Sequence, residues 1–256
     1  MFQGYTQETV DFMWGIRFNN ERGWFLEHKQ QYQTQLLEPT RALGEQVYEG
    51  VQAMLPREPL MLKTSRIYRD VRRLFGRGPY KDHLWFCVRT GDKDWTGRPT
   101  FYFEIAPYKD HLWFSIKASQ VLLEGPMFWF EVGAADYSYG MGFWQAPAEL
   151  MEAFRRDLQA HPAKFEKLVR GFEKQDIFTL NGDSYARSKG EISDRLRPWF
   201  QKKSITLSHE LPLDEKIFHP ELAEEILENF KMLVPFYKYF AGLCASVAHG
   251  QQREEI

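Results

Sequence analysis

Several signatures are missing from these 256 residues, and each absence argues against a class of protein. Cysteine is scarce: Cys87 and Cys244 stand far apart, in no C-x-x-C spacing, so neither a disulfide framework nor a thiolate metal site is expected. There is no G-x-x-x-x-G-K-[ST] phosphate loop, no H-E-x-x-H pair and no G-x-S-x-G elbow. The expectation is therefore no bound metal, no cofactor and no serine-hydrolase chemistry. Net charge is almost absent too, at −2, which argues against wholesale binding of nucleic acid or anionic membrane while allowing a local basic cluster. No charge-free apolar run approaches bilayer length, and the opening MFQGYTQETVDF lacks the basic-then-apolar pattern of a leader. A soluble cytoplasmic protein with no membrane partner is expected.

What is present in abundance is aromatic residues, with 21 Phe, 12 Tyr and 8 Trp, enough for a core built from large rings. Their spacing changes along the chain. From 6 to 56 the period is helical: Thr6 suits an N-cap before Val10 and Trp14, Asn20 suits a second N-cap, and Pro39 kinks or restarts the helix. From 60 to 145 short aromatic and β-branched runs (HLWFCVR, TFYFEI, HLWFSIK, MFWFEV) read as strands. Helical spacing returns over 147–175, 176–212 reads as irregular, and 219–245 reads as a C-terminal helix bent at Pro235. This order predicts an α+β fold, a mostly antiparallel sheet in the middle of the chain flanked by N-terminal and C-terminal helices, in a single domain over 1–256.

One stretch occurs twice: PYKDHLWF at 79–86 and again at 107–114. Beyond the octamer the copies share a grammar, a strand, a polar connection, a Gly, a Pro and an aromatic strand ending in Glu, so each reads as a β-hairpin of about 28 residues, a tandem repeat. Only the first copy follows the basic tract SRIYRDVRRLFGRG, and only the second leads into YSYGMGFW. This asymmetry is what one hairpin inserted into a frame that needs one would leave.

Three separated motifs, NNERGWFLEHKQQYQTQLLEP, RIYRDVRRLFGRGPYKDHLWF and YSYGMGFW, with a weaker echo in GDSYARSKG and WFQKKSI, together resemble the conserved hypothetical proteins of domain-of-unknown-function family 2461. That resemblance implies no catalytic residue. The family pattern has one PYK-type segment before YSYGMG, and this chain has two.

The chemistry-bearing candidates lie in the basic tract. Arg66, Arg69, Arg72, Arg73, Arg77 and Lys81 are set against one acid, Asp70. Guanidinium forks pair bidentately with carboxylate or phosphate. On one reading Arg66, Arg69, Arg73, Arg77 and Lys81 bind a small anionic ligand, with Tyr80 and His83 as catalytic candidates for orientation or proton transfer. On the other the arginines pair with the protein's own acids, Glu104 and Glu131 being candidates because a lone carboxylate in an aromatic strand is costly. A third possibility places the arginines on the phosphates of single-stranded nucleic acid, and a fourth makes the protein an interaction module without catalysis. Gly140 and Gly142 read as a bulge or a tight strand end, and GDSYARSKG as a polar loop.

Overall fold

A computed structural model describes residues 1–69, 74, 77–90, 125–143, 146–187 and 189–254, with backbone alone for 100–105, 112–117 and 248–254. The fold is α+β, as the order of periodicities predicts. Helices α1 (Gln7–Phe18), α2 (Arg22–Glu27), α3 (Lys29–Gln31) and α4 (Glu38–Met54) come first, with a wide π turn over Tyr32–Leu37 before Pro39 opens α4. Strands β1 (Leu60–Thr64), β2 (His83–Thr90), β3 (Thr100–Ile105), β4 (Leu112–Lys117), β5 (Met127–Gly133) and β6 (Asp136–Gly142) follow. Then come α5 (Ala148–Ala160), α6 (Pro162–Phe172), β7 (Thr179–Asn181), α7 (Arg197–Phe200), β8 (Thr206–Pro212) and α8 (Leu222–Glu254). No helix among the described residues is long and apolar enough to cross a membrane.

Six strands form one antiparallel sheet in the order β1-β2-β5-β6-β8-β7. Strand alternation divides its side chains between two faces. One face presents Leu84, Phe86, Val88, Phe128, Phe130, Val132, Tyr139 and Met141, all fully buried. Helices α4 and α8 cover it. Leu43, Val47 and Val51 recur on one stripe of α4, whose Gly44 brings the helix against Phe86 and Leu62. From α8, Tyr237 stacks on Phe128 and Phe230 packs against it at a tilt, and Asn229 Nδ2 donates to the Tyr139 hydroxyl at 2.7 Å. Pro235 lies inside α8, on its exposed side, where the missing N–H costs least.

Three local expectations need correction. The segment 176–212 is not irregular, because it supplies α7 and the strands β7 and β8 that complete the sheet. Its alternation Ile205, Leu207 is short and interrupted by His209, which turns inward against the Tyr139 ring. Gly140 and Gly142 mark no bulge, although Gly142 does end β6: the strand pairs residue for residue with both neighbours. A Cβ at Gly140 would come within 2.0 Å of the Leu207 carbonyl oxygen, so these glycines let β6 and β8 approach closely. Asn20 does not cap α2, whose N-cap is Glu21, and it acts elsewhere.

The two copies of the repeat do not fold as two successive hairpins. β2, from the first copy, pairs with β5, from the second; β3 and β4 pair with each other in a separate two-stranded sheet. The registers match. In the main sheet Leu84 stands opposite Val132, Trp85 opposite Glu131, Phe86 opposite Phe130 and Cys87 opposite Trp129. In the small one Leu112 stands opposite Ile105, Trp113 opposite Glu104, Phe114 opposite Phe103 and Ser115 opposite Tyr102. Either first strand can therefore meet either second strand with the same residue classes in contact. Local connections decide between them. β2 follows Tyr80, which is tied to Tyr68 and Asn20, and β5 reaches β6 through a two-residue turn, so the nested pairing preserves both junctions and places the extra residues between β2 and β5.

If the extra hairpin is dispensable, deleting Gly91–Ala118, which joins Thr90 to Ser119 and shortens the β2–β5 connection, leaves a cooperatively unfolding protein. Loop-closure entropy makes it as stable as the full chain or more so by about 1 kcal/mol. Circular dichroism melts check this; loss of the cooperative transition makes the small sheet integral to the core.

Candidate functional site

The face of the sheet opposite α4 and α8 is lined differently. By alternation it carries Lys63 of β1, His83, Trp85, Cys87 and Arg89 of β2, Met127, Trp129 and Glu131 of β5, and Ser138 of β6. A cavity of about 510 Å³ opens there, walled by Trp85, Trp129, Glu131, Lys63 and Arg89 and closed at one end by Phe143 and Thr206. That volume falls in the range of small-molecule sites.

Trp85 is the centre of this arrangement. The ammonium groups of Lys63 and Lys81 each lie 5.8 Å from its ring centroid, within cation–π range, and Glu131 is its partner across the strands. Burial pushes the Glu131 carboxyl above the usual carboxylate range, an effect that nearby His83 and Lys81 oppose without cancelling. Burial lowers the Lys81 ammonium, and neighbouring Arg69 lowers it further. Beside the cavity there is thus a carboxyl shifted up and an ammonium shifted down, both chiefly by burial.

The basic tract stands at the edge of this site and is partly committed to holding it together. Arg69 donates from Nε to the Tyr80 carbonyl at 2.8 Å and approaches Asp82 at 3.7 Å. Asn20 brackets the same residue, accepting from the Tyr80 N–H and donating to its carbonyl, both at 2.9 Å. The Tyr80 ring is 4% exposed and stacks on Phe25 at 4.2 Å. Lys81 donates from Nζ to the Arg66 carbonyl at 2.9 Å. His83 Nδ1 lies 3.2 Å from Asp82 Oδ1. Burial raises the Asp82 carboxyl, but its own backbone amide, His83 and Arg17 outweigh that and hold it below the ordinary range.

Of the sequence candidates, then, Lys81 and His83 stand beside the cavity without lining it, Lys81 next to Trp85 and His83 near Glu131. Tyr80 and Arg69 support its edge, and Arg66 and Arg77 are exposed beside it. Arg73, with Asp70 and Arg72, lies outside the described residues, as does the Glu104 side chain. The acid that meets Arg69 is Asp82, and no ion pair joins Glu131 to Arg66, Arg69 or Arg77 among the described residues. Lys63, Trp85, Arg89 and Trp129 were not foreseen. The signal for the last three was available in HLWFCVR and MFWFEV, where every second residue is a His, a Trp, a charge or a sulfur rather than an aliphatic side chain.

The family model of the conserved hypothetical proteins DUF2461 matches the chain in two pieces, residues 8–107 and 105–239. The chain belongs to that family. The seam between the pieces falls where the second PYKDHLWF begins. No curated protein matches it.

Two outcomes are expected. Asn20→Ala and Arg69→Ala, each removing partners of the Tyr80 backbone, lower unfolding free energy by about 1–3 kcal/mol in urea titrations. Glu131→Gln raises stability at neutral pH. A carboxyl whose folded pKa is raised loses stability as pH climbs from its unfolded value through its folded one, so the variant's advantage shrinks as pH falls toward the ordinary carboxylate range and is gone below it. Melting curves across pH check the sign.

Proposed function

We propose that the protein binds a small organic anion, a carboxylate or phosphate carried on a flat or apolar body, in the cleft between Trp85 and Trp129. The observation that carries this reading is the Trp85 ring with two lysine ammoniums at 5.8 Å beside a cavity of about 510 Å³. The rings offer apolar area at little entropic cost, and Lys63, Arg89 and Lys81 supply positive charge to orient the anionic end. Among the described lining residues the opposing charge is Glu131 alone, and its raised pKa reduces the repulsion. A pocket with converging cations suits a small ligand better than the continuous basic groove that a nucleic-acid strand needs. Were the site catalytic, Glu131 as proton donor and Lys81 or His83 as acceptor are the groups placed to move a proton. A cytoplasmic location belongs to the same reading.

Native mass spectrometry of the protein purified from its host tests this. The expected spectrum shows a retained small anion that Lys63→Gln releases and that binds more tightly as pH falls toward the Glu131 titration. A ligand-free spectrum, together with no thermal stabilisation by aromatic carboxylates or phosphomonoesters, overturns it.

A further inference from the structure

A second cluster of cations lies apart from the cleft and shares none of its lining residues. It is built around Tyr185, in the segment GDSYARSKG. The Lys189 ammonium lies 4.2 Å, the Arg155 guanidinium 5.3 Å and the Lys203 ammonium 5.5 Å from the Tyr185 ring centroid. The scaffold beneath them is fixed. Tyr185 donates its N–H to the Gln201 carbonyl at 2.9 Å, Lys203 donates its N–H to Asp183 at 2.7 Å, and Ser184 bridges Lys202. Lys202 Nζ donates to the Gly182 carbonyl at 2.6 Å. Gly182 itself sits at φ +105°, and a Cβ there would come within 2.2 Å of the Ser204 carbonyl oxygen, so the loop requires glycine at this point.

Arg155 is the informative member. It comes from the buried side of α5 and is 8% exposed, yet its guanidinium donates to the Lys202 carbonyl at a long 3.4 Å and forms no ion pair with a described carboxylate. Lys189, Lys202 and Lys203 form none either. A buried guanidinium is ordinarily matched by an acid, because removing it from water is costly. Here it shares the Tyr185 ring with two more cations instead. One aromatic face offsets part of this, but like charges sharing one ring repel each other, and an anion set among them removes that repulsion.

We propose that Arg155, Lys189 and Lys203 form a binding site for a phosphate-type dianion beside Tyr185. Arg155 supplies the preorganised fork, held by α5 and by the ring, while the exposed lysines close on the oxygens as point charges on flexible stems. The site is independent of the cleft, so either can fail without the other.

Isothermal titration with inorganic phosphate in low-chloride buffer tests the proposal. Wild-type protein is expected to bind it, with affinity that falls as salt rises. Binding weakens by about tenfold or more for each charge removed, in Lys189→Ala, in Lys203→Ala and in Arg155→Met. Because Arg155→Met can disturb the packing of α5, the pair of exposed lysine substitutions carries the test alone if that variant does not fold. Lys63→Gln, which alters the cleft, leaves phosphate binding unchanged. No phosphate binding by the wild type, or equal binding by wild type and the Lys189→Ala/Lys203→Ala double variant, overturns the proposal.

Discussion

The pairing of β2 with β5 is the constraint on which the rest depends. These two strands are the second and third of the six in the sheet, and their register determines which residues meet α4 and α8 and which face the cleft. A slip of one residue would exchange the faces. In the strand that slipped, Phe86 and Val88 of β2 or Phe128 and Phe130 of β5 would turn outward, while Trp85 and Arg89, or Trp129 and Glu131, would enter an apolar core with charges that nothing there could pair. Fold and site are therefore consequences of the same register.

That dependence explains how an exact repeat can be tolerated. A second first-strand and a second second-strand bring two competing partners to a sheet that has room for one pair. The competition does little harm because the registers are equivalent: any combination puts Trp opposite Glu and Phe opposite Phe. What separates the alternatives lies outside the strands, in the tie of Asn20 and Arg69 to Tyr80 before β2 and in the short turn between β5 and β6. Between those two fixed ends the chain takes the nested arrangement rather than two successive hairpins.

Much of this was legible in the sequence because it rests on local patterns. Thr6 opening α1, the restart at Pro39 and the aromatic strands follow from capping, proline geometry and alternation. The repeat was plain, but its pairing was not, since equal strand sequences make equal local predictions and only the surrounding connections distinguish them. β8 was missed because His209 and Ser208 interrupt its apolar alternation, and they do so to meet Tyr139 and Asn181. Asn20 looked like a helix cap because the type of residue suits one, whereas its partner Tyr80 lies 60 residues away. The site divided in the same manner. A run of arginines is conspicuous in sequence, yet the cleft is assembled from alternate residues of five strands, and Trp85, Lys63 and Glu131 become neighbours only once the register is known.

The most direct measurement of that register uses the thiol already present in β2. Cys87 stands opposite Trp129 in the nested pairing, at a separation that opposed antiparallel residues share with disulfides. With Cys244→Ser in the background, Trp129→Cys is expected to form an intramolecular disulfide with Cys87 under mild oxidation, identified by peptide mass mapping, while Tyr102→Cys, the corresponding position in β3, forms none. A Cys87 crosslink to position 102 and none to position 129 would contradict the account, and with it the cleft that this pairing builds.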